Sequence, residues 1–279
     1  MTQAWESDDA PDPVRIGPAG WVRVVLRGLV LGIVVFGGLF ILLTLRLIER
    51  PLFGMARPLT PHITQTVCRL AFVILGMRFS ATGTPIHEQG AVVANHSSWL
   101  DIFALNAAQR IYFVSKSEVA KWPGIGWLAR ATGTLFTERN PSQARQQMLN
   151  FQLRLLAGHQ LLFFPEGTST DGLRVLPFKT TLFQAFFTDE LRAEMRIQPV
   201  TVVYGAPAGQ PARFYGWWGD MDFGSHLLKT LSAAPGGTVL VHYHPPVAVA
   251  DFANRKALAA RLEEIVRSAH PTAVAQAAE

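Results

Sequence analysis

The chain has 279 residues, a formal charge of +5, an isoelectric point near 9.7, only 16% charged residues and a mean hydropathy of +0.21. That length holds one α/β domain plus an appendage and argues against two independent domains. The apolar, basic balance suits an anionic membrane surface. It argues against nucleic acid as partner, because the cations are scattered through apolar sequence and form no recognised binding signature.

Residues 1–20 carry Glu6, Asp8, Asp9 and Asp12 among prolines and glycines and read as a mobile tail. No charge then appears from Gly28 to Leu45, a run flanked by Arg23 and Arg27 before and Arg46 and Arg50 after. It reaches the lower end of what crosses a bilayer, about 17 to 25 residues. Crossing and half-insertion both remain open, and arginine on both flanks gives no orientation. Beyond Pro51, Pro58 and Pro61, the stretch Ile63 to Met77 spaces Val67, Leu70 and Ile74 as one face of an amphipathic helix. Residues 21–78 therefore read as a helical membrane-attachment unit. The single cysteine, Cys68, lies among its apolar residues, which rules out an internal disulfide and points to a buried thiol.

From residue 79 to 270 the pattern changes to strands alternating with helices. Strands are expected at Ala91 to Ala94, Ile111 to Val114, Thr134 to Thr137, Gln160 to Phe164, Ile197 to Tyr204 and Val239 to Tyr243. Helices are expected at Pro141 to Ala157, Leu182 to Arg192 and Asp251 to His270, and residues 271–279 as a fraying tail. Such alternation predicts an α/β domain, a largely parallel sheet flanked by helices, with its site beyond the carboxyl ends of the strands. His242 and His244, two apart in a strand, share a face and read as paired surface histidines.

Two strands run into polar turns. After Ala91 to Ala94 come Asn95, His96, Ser97 and Ser98, then Asp101 in the first turn of the next helix, with Ser97 or Ser98 as its cap. On one continuous helix, positions five apart point about 140° from each other, so His96 can meet Asp101 only from a turn. The carboxylate would fix the tautomer of a histidine base. After Leu161 to Phe164 come Pro165, Glu166, Gly167, Thr168 and Ser169, a corner offering a carboxylate, a conformationally free glycine and hydroxyls that could bind phosphate or an oxyanion. Lys116 follows another strand, and Gly133 to Arg139 is a short apolar stretch ending in the charge pair Glu138 and Arg139. Trp122, Trp127, Phe183, Phe186 and Phe187 are candidates for an acyl-chain groove or for core packing.

In this order the three stretches resemble the glycerolipid acyltransferase family, of the lysophosphatidic acid acyltransferase type. His96 and Asp101 match its His-x4-Asp motif, Phe164 to Ser169 its Phe-Pro-Glu-Gly-Thr-Ser block, and Phe136 to Arg139 its second block, across roughly residues 70 to 205. The second block departs from the family's usual Asp-Arg ending, because Glu138 stands before Arg139. The resemblance implies transfer of a fatty acyl group from acyl-CoA or acyl carrier protein to a lysolipid, without metal or cofactor. His96 and Asp101 would be the catalytic pair, and Glu166, Gly167, Thr168, Arg139 and Lys116 substrate-binding. The leading acceptor is 1-acyl-sn-glycerol 3-phosphate, giving phosphatidic acid. Trp217 to Asp222 looks like the lyso-ornithine lipid branch, which is the alternative. A hydrolase is a third reading, since a His–Asp pair also activates water. The implied location is the inner membrane, with the catalytic domain on the cytoplasmic side.

Overall fold

A computed structural model describes residues 5–7, 11–88, 90–138 and 144–271. Helix α1, Pro18–Phe53, is far longer than the uncharged run and continues through Pro51 almost to its end; at about 1.5 Å per residue its 36 residues span about 54 Å. A proline so near the end forfeits little of the helix. Gly54 then turns the chain back into α2, Thr60–Leu75, which packs along α1.

The sheet follows: β1, Arg78–Thr82; β2, Gly90–Ala94; β3, Tyr112–Lys116; β4, Leu135–Thr137; β5, Leu161–Phe163; β6, Arg196–Gly205; β7, Thr238–Tyr243; and β8, Val247–Ala248. Their spatial order is β1-β7-β6-β2-β5-β3-β4, with β8 on β6. Strands β2 to β6 all run parallel, so their carboxyl ends share one edge; β7 and β8 oppose β6. The helices between them are α3, Asp101–Ala108; α4, Ile125–Thr132; α5, Ala144–Leu156; α6, Asp189–Glu194; α7, Phe223–Ser232; and α8, Arg255–Ser268.

Each strand alternates its side chains between two cores. Val92, Ala94, Leu162, Val200 and Val202 face one core, where Phe72 and Leu75 of α2 and Ala104 and Leu105 of α3 cover them. Ala91, Val93, Leu161, Phe163 and Ile197 face the other, closed by Phe151 and Leu155 of α5 and by Leu258, Leu262 and Val266 of α8.

The expected helix from Leu182 to Arg192 is not continuous. Leu182–Phe186 is a 3-10 turn and α6 starts only at Asp189. Phe183 and Phe186, both fully buried, lie three apart, the spacing that a 3-10 turn stacks on one side, so they belong to the core and not to a groove. His244 is likewise buried against the Thr201 hydroxyl at 2.9 Å and is not a surface residue.

Helix α1 is clamped to the domain along its length. Arg23 donates to Ser232 O at 2.8 Å, and Arg27 to Leu231 O at 3.0 Å, so both meet carbonyls at the end of α7. Gly38 lets Val67 of α2 approach, with Cγ2 only 2.4 Å from where a β-carbon would stand. At the far end Glu49 accepts from Leu59 N at 2.8 Å and Thr60 N at 3.1 Å, and Arg57 donates to Ala131 O at 2.7 Å. A stiff valine cannot retreat from a new methyl. Gly38→Val should therefore destabilise the folded protein by about 1–3 kcal/mol, read from unfolding in detergent; an unchanged midpoint would mean that α1 and α2 do not depend on this contact.

Candidate active site

Strand β2 lies between β5 and β6, so its carboxyl end is flanked by theirs. The parity that aims Val92 and Ala94 at the α3 side aims His96 the same way. Its ring stacks on Phe164, just past β5, with centroids 4.0 Å apart and planes 10° apart. His96 Nδ1 lies 2.7 Å from Asp101 Oδ2. The imidazole is 20% exposed and the carboxylate 0%, so the ring reaches solvent while its partner does not.

At the entry to α3 the Ser98 hydroxyl accepts from Leu100 N at 3.4 Å, a long bond, while Ser97 offers no side-chain cap. The Asp101 side chain turns back and accepts from Ser97 N at 2.8 Å and Ser98 N at 3.0 Å, which closes the polar turn onto the helix. That closure places His96 off the helix, the condition its pairing with Asp101 requires. The second carboxylate oxygen accepts from the Tyr204 hydroxyl at 2.7 Å. Tyr204 is the penultimate residue of β6, and nothing in the sequence pattern marked it as part of the site.

Glu166 is 1% exposed, and both of its oxygens are engaged by backbone: one accepts from His96 N at 2.7 Å, the other from Leu176 N at 2.7 Å. Burial pushes its carboxyl up to about 8, helped by the charge of Asp101 and opposed by the two amides. Gly167, at φ +70, spends its own N–H on Phe164 O at 3.0 Å, and the Lys179 side chain crosses it, Nζ standing 2.9 Å from a would-be β-carbon. The Thr168 hydroxyl donates to Ser169 O at 3.3 Å and accepts from Trp5 N at 3.3 Å.

The turn at His96 is held from outside as well: Thr170 N donates to His96 O at 3.0 Å and Trp217 N to Ser97 O at 2.9 Å. Asn95 replaces the ladder where β2 ends, exchanging two hydrogen bonds with Val202 of β6. Lys116 ends β3 on the same edge of the sheet. Arg139 lies outside the described residues. Trp122 and Trp127 are exposed, and Trp122 meets Trp217 edge-on at 6.1 Å.

A largely parallel sheet with a His–Asp pair beyond its central strand, behind an apolar N-terminal helix, is the frame of an enzyme that transfers acyl groups, the class that the family match shows. The family model described as Acyltransferase matches residues 79–203, and the chain belongs to that family. It is 57% identical to a lyso-ornithine lipid O-acyltransferase from Rhodobacter capsulatus, over 95% of this chain and 96% of that one. It is 31% identical to a 1-acyl-sn-glycerol-3-phosphate acyltransferase from Neisseria gonorrhoeae, over 66% of this chain and 71% of that one. The crystal structure of the 1-acyl-sn-glycerophosphate acyltransferase PlsC from Thermotoga maritima shares the fold, with a TM-score of 0.60 at 22% identity over 89% of this chain and 95% of that one.

Because the folded state holds Glu166 near 8 against an ordinary value of 4.5, the fold favours its neutral form. That contribution is complete below about pH 4.5 and is lost as pH rises through 8. Comparing unfolding free energies, the wild-type protein should lose on the order of 2–5 kcal/mol relative to Glu166→Gln between those limits; parallel pH curves would show that Glu166 is ionised throughout.

Proposed function

We propose that this chain esterifies the free hydroxyl of a lyso-ornithine lipid with a fatty acyl group from acyl-CoA or acyl carrier protein. The acceptor rests on one observation, the Rhodobacter relative at 57% identity over 95% of this chain. The second reading, acylation of 1-acyl-sn-glycerol 3-phosphate to phosphatidic acid, is favoured by the Neisseria relative.

His96 is the general base. With Nδ1–H donated to Asp101, the other ring nitrogen takes the proton of the acceptor hydroxyl as its oxygen attacks the thioester carbonyl. Asp101 stabilises the imidazolium so formed. Collapse of the tetrahedral intermediate expels the thiolate, which takes the proton back from His96. No enzyme nucleophile is needed. Glu166 acts by positioning, since its carboxyl group accepts from the His96 backbone N–H. Lys116 and Arg139, after neighbouring parallel strands, anchor the anion of the acceptor's head group. Gly167 and Thr168 shape the corner beside it.

The protein attaches to the membrane through α1, the one helix among the described residues long and apolar enough to cross a bilayer. Contacts with the catalytic domain at both ends support an attachment in which α1 lies along the domain and buries its outer face in lipid. A cytoplasmic supply of thioester donors supports a domain on the cytoplasmic side of the inner membrane.

Purified protein supplied with one labelled thioester and each lysolipid in turn should form ornithine lipid at a kcat/KM at least about tenfold above that for the phosphate acceptor, a modest discrimination of about 1.4 kcal/mol. The opposite preference reverses the acceptor assignment, and thioester loss without any lysolipid makes the protein a hydrolase. His96→Ala should lower transfer by about 10²- to 10⁴-fold while keeping the native circular dichroism spectrum. Near-normal turnover in that variant would remove the imidazole from the mechanism.

A further inference from the structure

Asp101 has two oxygens and only one of them serves His96. Oδ2 takes the imidazole Nδ1 at 2.7 Å together with the amides of Ser97 and Ser98, all from the polar turn and its helix. Oδ1 takes the Tyr204 hydroxyl at 2.7 Å, a donor that arrives from β6, 103 residues further along the chain. The carboxylate is fully buried and its ion-pair partner among the described residues is His96. Without Tyr204, one oxygen of a buried anion would lose its donor and the carboxylate could rotate about its own axis.

We infer that Tyr204 is a positioning residue of the acyl-transfer reaction: its hydroxyl locks the plane of the Asp101 carboxylate, so that one oxygen is presented to His96. This rests on the reading of His96 and Asp101 as the catalytic dyad. The tyrosine is suited to the task. Burial, and next the charge of Asp101, raise its pKa well above the ordinary value, so the proton stays on the phenol as a permanent donor. Its ring leans on Tyr215, centroids 5.9 Å apart, and Val202 two residues before it on the same face anchors β6 in the core. Asn95 joins β6 to β2 at that same Val202 through two hydrogen bonds. The strand that carries the donor and the strand that carries the base are thus stitched together immediately before the site.

The test is a double-mutant cycle on the full-length protein, read as kcat with acyl-CoA and lyso-ornithine lipid. Tyr204→Phe keeps the ring and should lower kcat about tenfold or more, the size expected for a hydrogen bond to a charged group, with KM changed less than about twofold. In an Asp101→Asn background the same change should cost less than about twofold, because the group Tyr204 acts through has already been altered. Tyr215→Phe is the control, since its hydroxyl accepts from Gly237 N at 3.0 Å and does not touch the dyad; it should leave kcat within about twofold. Equal losses in both backgrounds, an equal loss in Tyr215→Phe, or a Tyr204→Phe chain that no longer folds would each make the hydroxyl a support of the fold and overturn the inference. So would full activity in Tyr204→Phe. If His96→Ala is inactive while Tyr204→Phe is normal, only the positioning role fails; if His96→Ala is active, the dyad itself fails.

Discussion

A buried carboxylate whose ion-pair partner among the described residues is a histidine organises this molecule. Removing Asp101 from water is costly unless other groups solvate it. Here the solvent is replaced by two amides of the turn, one imidazole and one phenol. Those donors come from the loop after β2 and from β6, while the acceptor itself opens α3, so satisfying one side chain fixes three elements relative to one another. The same bonds leave the histidine ring partly open to solvent while its acid stays dry, the asymmetry a general base needs.

Around that carboxylate the sheet order does the rest. Because β2 is flanked by β5 and β6, the histidine turn receives Phe164 and Glu166 from one neighbour and Tyr204 from the other. Phe164 supplies a face for the ring to stack on, Glu166 holds its backbone N–H, and Thr170 holds its carbonyl. The two motif loops therefore support each other: one carries the base, and the other fixes where the base's main chain lies. Both Glu166 oxygens accept from backbone amides, which ties the two loops together.

The apolar front end is built into the same frame. Helix α2 lends Phe72 and Leu75 to the core that lies under β2 and β6, while arginines of α1 and of the link to α2 meet carbonyls at the ends of α7 and α4. What α1 leaves uncovered is its outer face, where Leu29, Ile33, Phe40 and Leu47 stay exposed. A surface of that kind is stable against lipid and unstable in water. The apolar helix and the His96–Asp101 pair thus share one set of packing contacts, and the pair is held at a fixed position relative to α1.

Much of this was legible in the chain itself, for reasons that are local. Apolar runs of strand length ending in polar turns mark β2 and β5, the uncharged run marks α1, and His96 with Asp101 five residues on is a pairing that a turn makes possible. Local pattern also misled where packing overrode it: Phe183 and Phe186 read as a helix and form a 3-10 turn, because the core takes both rings on one side. Of the two serines read as caps, Ser98 meets Leu100 N, and what the local pattern missed is that Asp101 bonds back to both serine amides because its burial demands donors. Tyr204 was silent in the sequence, since its partner lies 103 residues away and only the alignment of β6 beside β2 brings them together. Sequence alone determined the α/β class, the apolar front end and a histidine spaced to meet an acid from a turn. Tertiary structure decided how that acid is held and which face of Glu166 is spent, because both depend on contacts between strands that are neighbours only after folding.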